Sequence, residues 1–299
     1  MNETTSSHLL RGSLCTTLGG VCWGFSGTCG QYLFSRFDVS TLWLTCLRLL
    51  AGGVIMLALA AVRHRRELRE IWRCPGDAAM LVAYGLFGLM MCQYAYMTSI
   101  SYSNAGTTTV LQTLSLVIIM LLTCLRLRRR PNRVETIALL LALFGTFLLA
   151  TGGDPAHMVL SPQGLFWGLA TAVAATVYTL LPRRLLSRWN REVVNGWAML
   201  IGGVVLNLGA RSWTFQVDLP LRGWLAVCAI VVFGTVLSFT LFMQGIRDVG
   251  PVKSSMLAST EPVSATVFSA VWLGTAFSTV DLLGFVAIIA TIFLLAQPE

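Results

Sequence analysis

The chain has 299 residues, of which 56% are hydrophobic and 11% are charged, and its formal net charge is +8. Soluble domains carry about 25% charged residues, so this chain has too little polar surface to cover a water-soluble globule of its size. Its apolar residues form long runs separated by short breaks that are basic or contain Gly and Pro. This pattern places the chain in a lipid bilayer.

Ten apolar segments follow one another along the chain, each near the 17 to 25 residues that a helix needs to cross about 30 Å of hydrocarbon. They cover residues 12–34, 40–62, 78–99, 105–125, 134–151, 162–182, 193–211, 223–246, 252–274 and 280–296. They lack the two-residue alternation of membrane strands, so we expect an all-α membrane protein with ten transmembrane helices. The count becomes nine if the last short segment lies at the membrane interface.

The Lys and Arg residues, 21 in all, predict the orientation of the chain. With a cytoplasmic N-terminus, 17 of them fall on the cytoplasmic side and Arg48 lies within the second span. The remaining three fall on the opposite side: Arg36, Arg211 and Arg222. This asymmetry predicts that both termini face the cytoplasm. Because the basic residues are dispersed over short loops, the sequence argues against a nucleic-acid partner.

The other chemistry-bearing residues argue against metal, cofactor and ATP. All three histidines (His8, His64 and His157) lie outside the spans, so no buried imidazole is present for a metal site or a Ser/His pair. The eight cysteines form no CxxC pair and are interpreted as packing residues. No GxxxxGK[ST] sequence occurs. We therefore expect no cofactor and no catalytic residues.

The chain repeats itself at an offset of 146 residues. YAYMTSISYSNAGTTTVLQTLSLVIIM at 94–120 aligns without a gap on TLFMQGIRDVGPVKSSMLASTEPVSAT at 240–266. This divides the chain into a first five-helix repeat (11–151), a connecting loop (152–161) and a second five-helix repeat (162–296). Because five crossings are an odd number, the two copies have opposite orientations in the membrane. Inverted repeats of this kind build carriers with a binding site near the midplane, where the halves meet.

Glu261 is the one acidic residue well inside a predicted span, and Pro262 follows it. We expect Pro262 to act as a hinge, because it cannot donate to the Ala258 carbonyl and its ring opens that turn. The functional hypothesis for Glu261 is a substrate contact, either ionised against a cationic group or protonated as a donor. The alternative is a hydrogen bond to a neighbouring helix that stabilises the bundle.

Further polar and aromatic residues are candidates for the same site. On a helical wheel, Ser254, Ala258, Glu261 and Ala265 share one face, and the equivalent face of the fourth span carries Thr108, Gln112 and Ser115. Aromatic residues and amides interleaved with small residues suit an amphipathic molecule. The predicted substrate-binding residues are Glu261, Trp23, Gln93, Tyr96, Gln112, Ser115, Tyr178 and Arg48. For Arg48, a substrate contact and a structural role both remain open.

The motifs, taken in order, resemble the EamA-type drug/metabolite transporter superfamily. They are GGVCWGFSG (19–27), LTCLRLLAGG (44–53), SISYSNAGTTTVLQ (99–112) and LASTEPVSATVFSAVWLG (257–274). Relatives often close the last of these motifs with an acidic residue, where this chain has Thr275. The resemblance implies a ten-span bacterial-type inner-membrane exporter of amino acids, related metabolites or drug-like compounds.

We therefore predict a secondary transporter of small organic solutes, most suited to a zwitterion or a mainly apolar cation. Both proton coupling through Glu261 and uncoupled facilitated diffusion are compatible with the sequence. The expected partners are a small-molecule substrate, the lipid bilayer and, under coupling, a proton. Ten helices enclose a pathway without a second copy, which favours a monomer. The alternatives are an intramembrane enzyme acting on lipid or peptide, which this chain with its single buried acid serves poorly, and a membrane sensor or scaffold.

Overall fold

The protein consists of helices joined by short loops, and the computed structural model describes residues 3–154 and 158–295. The helices are α1 (Glu3–Phe37), α2 (Thr41–Arg63), α3 (Glu67–Arg73), α4 (Pro75–Ala83), α5 (Met91–Tyr102), α6 (Ala105–Gln112), α7 (Ser115–Arg126), α8 (Arg133–Thr151), α9 (Pro162–Leu180), α10 (Arg183–Arg188), α11 (Arg191–Ala210), α12 (Leu221–Val231), α13 (Ser238–Val249), α14 (Pro251–Ala258), α15 (Thr260–Leu273) and α16 (Thr279–Leu295). No strand occurs in these ranges. The predicted all-α class is confirmed, as expected of a backbone that must satisfy its polar groups within lipid.

Within residues 3–154 and 158–295, seven helical segments are long and apolar enough to cross a membrane. They are Thr41–Arg63, Pro75–Tyr102, Ala105–Arg126, Arg133–Thr151, Pro162–Arg188, Arg191–Ala210 and Leu221–Val249. Each coincides with one predicted span, and the other three predicted spans correspond to α1, to the pair α14 and α15, and to α16. The helix α16 is apolar but has only 17 residues. Four residues of the predicted connecting loop and last span, 155–157 and 296, lie outside the described residues.

The ninth predicted span is interrupted at Ser259, which separates α14 from α15. The Ser259 N–H donates to the Met256 carbonyl at 3.2 Å, a tighter turn than an α-helix makes. Pro262 therefore lies in the first turn of α15, where N–H groups have no intrahelical acceptor and a missing donor costs little. The predicted opening of the turn at Ala258 thus coincides with the interruption at Ser259, three residues before the proline, while the role of Pro262 as a hinge stays a prediction.

Three other predicted spans are interrupted, in places that correspond between the two halves. Thr113 breaks the fourth span between α6 and α7, 146 residues before Ser259, and its N–H donates to the Val110 carbonyl at 3.1 Å. Wide, π-type turns occupy Tyr84–Met90 between α4 and α5, and Val232–Leu237 between α12 and α13. The third and eighth predicted spans are thus each a single long helix with a loosened middle.

The helix ends match in the same way. At the start of α8, Asn132 Oδ1 accepts from the Glu135 N–H (2.8 Å), and Glu135 Oε2 accepts from the Asn132 N–H (2.7 Å). At the start of α16, Ser278 Oγ accepts from the Asp281 N–H (3.1 Å), and Asp281 Oδ2 accepts from the Ser278 N–H (2.8 Å). Both pairs are reciprocal caps, and they lie 146 residues apart.

The packing of the helices places the two halves of the chain against one another. The helix α2 packs on α11, and α8 packs on α16. The helix α1 of the first half packs on α12, α13 and α15 of the second, while α9 of the second half packs on α5 and α6 of the first. Each helix of the first half therefore has nearly the same packing partners as the equivalent helix of the second half. A central space lies between the helices of the two halves.

Candidate functional site

Ion pairs define one side of the bundle. Arg11 Nε lies 2.9 Å from Asp248 Oδ2, joining the start of α1 to the end of α13. Arg63 Nη1 lies 3.4 Å from Glu192 Oε1, joining the end of α2 to the start of α11. The Arg-rich loops after α2, α7 and α9 belong to this side, because consecutive spans alternate in direction. We call it the basic side, and the other the opposite side.

A central cavity of about 480 Å³ extends from the middle of the bundle to the basic side. It is lined by all eight predicted substrate-binding residues: Trp23, Arg48, Gln93, Tyr96, Gln112, Ser115, Tyr178 and Glu261. Pro262 also lines it. Towards the basic side the lining continues through Pro182, Leu186 and Arg191.

The Glu261 side chain is half-buried and faces this cavity, and it forms no hydrogen bond or ion pair with any described residue. Its backbone is held against α1 by two glycines spaced four apart, Gly20 and Gly24. A Cβ added at Gly24 would lie 2.7 Å from the Glu261 carbonyl oxygen and from the Ala265 nitrogen. Such small residues let membrane helices approach closely. The sequence of α1 therefore fixes the depth and position of the carboxylate.

Arg48 lies in α2, seven residues or about 10 Å from the start of that helix. Its Nη2 donates to the Gly234 carbonyl at 3.3 Å, within the second wide turn. Its Nε and Nη1 are buried and have no hydrogen-bond partner among the described residues. The hydroxyls of Ser26, Tyr96 and Thr235 are also buried without a partner. This region of the bundle is therefore rich in unused donors and carries one positive charge.

Aromatic rings form two walls of the cavity. On one side the Trp23 ring contacts Phe239 and Phe242, with centroids 5.4 and 5.3 Å apart. On the other, Tyr84 and Tyr178 stack at 5.9 Å. All five residues line the cavity. Such walls bury the apolar body of a bound molecule and leave the polar groups to orient it.

Residues separated by 146 positions recur around the cavity. Six pairs have both members in its lining: Gln93 and Phe239, Tyr96 and Phe242, Gln112 and Ala258, Thr113 and Ser259, Ser115 and Glu261, and Leu116 and Pro262. Ser115 and Glu261 are thus equivalent positions of the two halves, and only the second carries a charge.

Towards the opposite side, the bundle is closed by a hydrogen-bond cluster centred on Gln31, which we call the Gln31 cluster. Gln31 Nε2 donates to Thr275 Oγ1 at 2.9 Å. Gln31 Oε1 accepts from the Ala105 N–H and from Ser269 Oγ, both at 2.9 Å. The cluster ties the end of α1 to the start of α6 and to the last turn of α15.

A family model decides the identity of this arrangement. The model of the EamA-like transporter family matches residues 10–151 and again residues 162–297. The chain belongs to the EamA-like transporter family. A relative described as an uncharacterized inner membrane transporter, YicL of Salmonella typhimurium, is 36% identical over 288 residues, covering 96% of this chain and 95% of the relative. This EamA-like protein is accordingly a multi-pass protein of the inner membrane.

More distant relatives and a solved structure agree with this assignment. A protein described as an uncharacterized transporter, YwfM of Bacillus subtilis, is 25% identical over 276 residues, covering 91% of this chain and 89% of the relative. A crystal structure with 19% sequence identity matches the EamA-like chain with a TM-score of 0.60, over 98% of this chain and 96% of the other. At that identity the likeness concerns the fold alone.

Three residues predicted to share the cavity-facing stripes lie elsewhere in this EamA-like fold. Thr108 is fully buried, and its hydroxyl lies 2.9 Å from that of Ser99. Ser254 and Ala265 are also fully buried, packed towards α1 through Thr16 and Thr28. Each shares an unbroken helix with a cavity residue one turn away, namely Gln112, Ala258 or Glu261, but at its own depth a neighbouring helix covers that face, so the prediction was wrong for these three residues.

Several cavity residues were missed by sequence reasoning. Phe239 and Phe242 complete the wall around Trp23, and Tyr84 completes the wall around Tyr178. Applying the 146-residue offset to Gln93 and Tyr96 finds both phenylalanines. Asn195, which accepts from the Tyr84 hydroxyl at 2.9 Å, had no such signal in the sequence.

Proposed function

We propose that this protein is a secondary transporter that exports small organic solutes by alternating access around the central cavity. The family and its named relatives support transport across a membrane. Export, and a substrate class of amino acids, metabolites or drug-like compounds, rest on the resemblance of the motifs and on the chemistry of the cavity.

The observation that carries the proposal is the set of six residue pairs, 146 apart, that line one cavity in the middle of the bundle. It supports two five-helix repeats, residues 11–151 and 162–296, in opposite orientations. The double match of the family model, the two reciprocal caps and the two broken spans agree with it. This division gives ten crossings with both termini on the basic side, and the positive-inside rule supports a cytoplasmic position for that side, so that the cavity opens inward.

The chemistry of the cavity favours a solute with an ammonium group and an apolar body. Glu261 presents an unpaired carboxylate, while Arg48 has unused N–H donors beside the same cavity. A zwitterion satisfies both, and a mainly apolar cation satisfies Glu261 alone. Each aromatic wall accommodates a flat or aliphatic side group. A polyanion lacks sufficient positive charge here.

The site favours transport over an intramembrane enzyme. A hydrolase or transferase needs a nucleophile with a base, a carboxylate pair or a metal within reach of its substrate. Among the described residues, the cavity lining contains one acid, no histidine and one cysteine, Cys92, whose thiol accepts from Gln112 Nε2 at 3.7 Å. We propose a monomer without a cofactor, in which the bilayer and the solute are the partners.

The test is solute transport by Glu261→Gln in proteoliposomes, with a screen of radiolabelled amino acids and metabolites. A substrate of the parent protein is then measured with and without a pH gradient. Because a charged contact is worth about tenfold or more in binding, the variant should lose at least that much transport. Glu70→Gln, on the exposed surface of α3, serves as the matched control.

Three results distinguish coupled transport, facilitated diffusion and enzymatic activity. Normal transport by Glu261→Gln overturns the substrate role of this carboxylate. If the parent moves the solute at the same rate with and without the gradient, proton coupling is excluded and facilitated diffusion stands. A solute recovered in altered chemical form would support the enzyme instead.

A further inference from the structure

A second cavity lies on the opposite side of the bundle, away from the mouth of the central one. Its volume is about 420 Å³. It is formed where α1 and α15 end and α12 begins, by Tyr32, Arg36, Phe37, Arg222, Trp272 and Leu273. None of the residues predicted from the sequence to bind substrate belongs to it.

Two arginines meet at this second cavity from distant parts of the chain. Arg36 and Arg222 are two of the three basic residues that the sequence places on the opposite side. Both side chains are exposed, and neither forms a hydrogen bond or ion pair with a described residue. Like charges that line one cavity repel each other, and an anion between them removes this cost. The guanidinium groups also present donors in the planar arrangement that oxyanions accept.

The rest of the cavity is aromatic. The Trp272 and Tyr32 rings stack with centroids 5.1 Å apart and an interplanar angle of 24°. Tyr32 meets the Phe37 ring edge-on at 5.4 Å. Trp272 lies at the end of a predicted span, and 44% of it is left uncovered by the rest of the chain, so part of its ring is free to contact a bound molecule. The site therefore offers an apolar surface beside the two cations, which suits an anion attached to an apolar body.

The second cavity is separated from the central one by further aromatic rings. Trp272 stacks on Phe25 at 5.9 Å, and Phe25 contacts Phe233 and Phe268 at 5.6 and 5.4 Å. Phe25 lies in α1 between Trp23, which lines the central cavity, and Tyr32, which lines the second one. The two cavities thus lie in line along α1, on either side of this aromatic layer.

We propose that the second cavity is an oxyanion site that binds a carboxylate or phosphodiester group attached to an apolar body. Arg36 and Arg222 bind the oxygens, and the Trp272 ring covers the apolar part. Two sources supply this chemistry: a small carboxylate in solution, such as a solute on its way out, and the headgroup of an anionic phospholipid. The site stands on its own geometry and does not require the proposed transport activity.

The experiment compares the parent protein with Arg36→Gln/Arg222→Gln in nanodiscs. Benzoate, a carboxylate on an aromatic ring, is the soluble probe, and its binding is followed by saturation-transfer NMR in uncharged phosphatidylcholine nanodiscs. Retention of phosphatidylglycerol over phosphatidylcholine is measured by native mass spectrometry after release from mixed nanodiscs. Arg211→Asn is the matched control, because it removes the third basic residue of this side and Asn tolerates the left-handed backbone there (φ +51°).

We expect the double variant to lose at least about tenfold in affinity for one of the two probes, because each arginine contributes charged hydrogen bonds. Loss of benzoate binding identifies a soluble carboxylate as the ligand, and loss of phosphatidylglycerol retention identifies a lipid. Trp272→Leu should weaken benzoate binding with both arginines in place. Benzoate held by Arg48 in the central cavity contributes equally to all variants. Equal binding of both probes by the parent, the double variant and Arg211→Asn would overturn the proposal.

Discussion

Replacement of Gln31 by Ala should shift the protein towards a state that opens on the opposite side. The Gln31 side chain makes three hydrogen bonds, each 2.9 Å long, that join α1, α6 and α15. A net contribution of about 1 kcal/mol for each bond gives about 3 kcal/mol. If these bonds exist only while the opposite side is closed, their loss changes the ratio of the state open on the opposite side to the state open on the basic side by about 150-fold. Thr275→Val, which removes one bond, should change it by about fivefold.

The measurement is the labelling rate of one cysteine placed at Ser115 in the central cavity. The eight native cysteines are first replaced, and an impermeant maleimide is applied to intact cells and to inverted membrane vesicles. In the parent, labelling should be fast only from the basic side. In Gln31→Ala, labelling from the opposite side should rise towards that rate, with Thr275→Val between the two. An unchanged opposite-side rate in Gln31→Ala would show that the Gln31 cluster does not keep that side closed.

Two further substitutions test the packing that supports the cavity. Asp77→Ala removes the acceptor of Arg188 Nη1 (2.8 Å) and of Trp189 Nε1 (3.0 Å). Because the Arg188 side chain is 50% exposed, we expect the free energy of unfolding to fall by only about 2 kcal/mol. The thermal midpoint in detergent should be a few degrees lower, and an unchanged midpoint would refute this. Gly24→Ala should cost about 1 to 3 kcal/mol by overpacking against α15 and should reduce transport. Gly76→Ala is the control, because an added Cβ there meets nothing within 4 Å, and it should leave both stability and transport unchanged. Equal effects of Gly24→Ala and Gly76→Ala would contradict the role of close contact between α1 and α15.

Much of this fold was accessible from the sequence, because apolar length and the absence of two-residue alternation determine a helical membrane protein. All eight predicted binding residues line the central cavity, since buried polar groups in membrane helices tend to face the interior of the bundle. The 146-residue offset was informative because it relates positions such as Ser115 and Glu261 that line the same cavity.

Of the interruptions within helices, the sequence predicted only the one before Pro262. No proline marks Thr113 or the wide turns at Tyr84–Met90 and Val232–Leu237. The predictions for Thr108, Ser254 and Ala265 failed for another reason: helical periodicity gives the face of a residue, but not the depth at which a neighbouring helix covers that face. Likewise, no local pattern connects Arg36 to Arg222, because only the packing of α1 on α12 brings them to one cavity.

The wide turns insert one extra residue into each of two long helices, the third and the eighth predicted spans. A wide turn holds an extra residue that an ordinary α-turn does not accommodate, and its return to α geometry turns everything beyond it by about 100°. In α13 such a rotation would carry Phe239 and Phe242 away from Trp23, and in α5 it would displace Gln93 and Tyr96. The same joint recurs in both halves, so the inner surface of this protein can exchange one set of side chains for another without unfolding a helix.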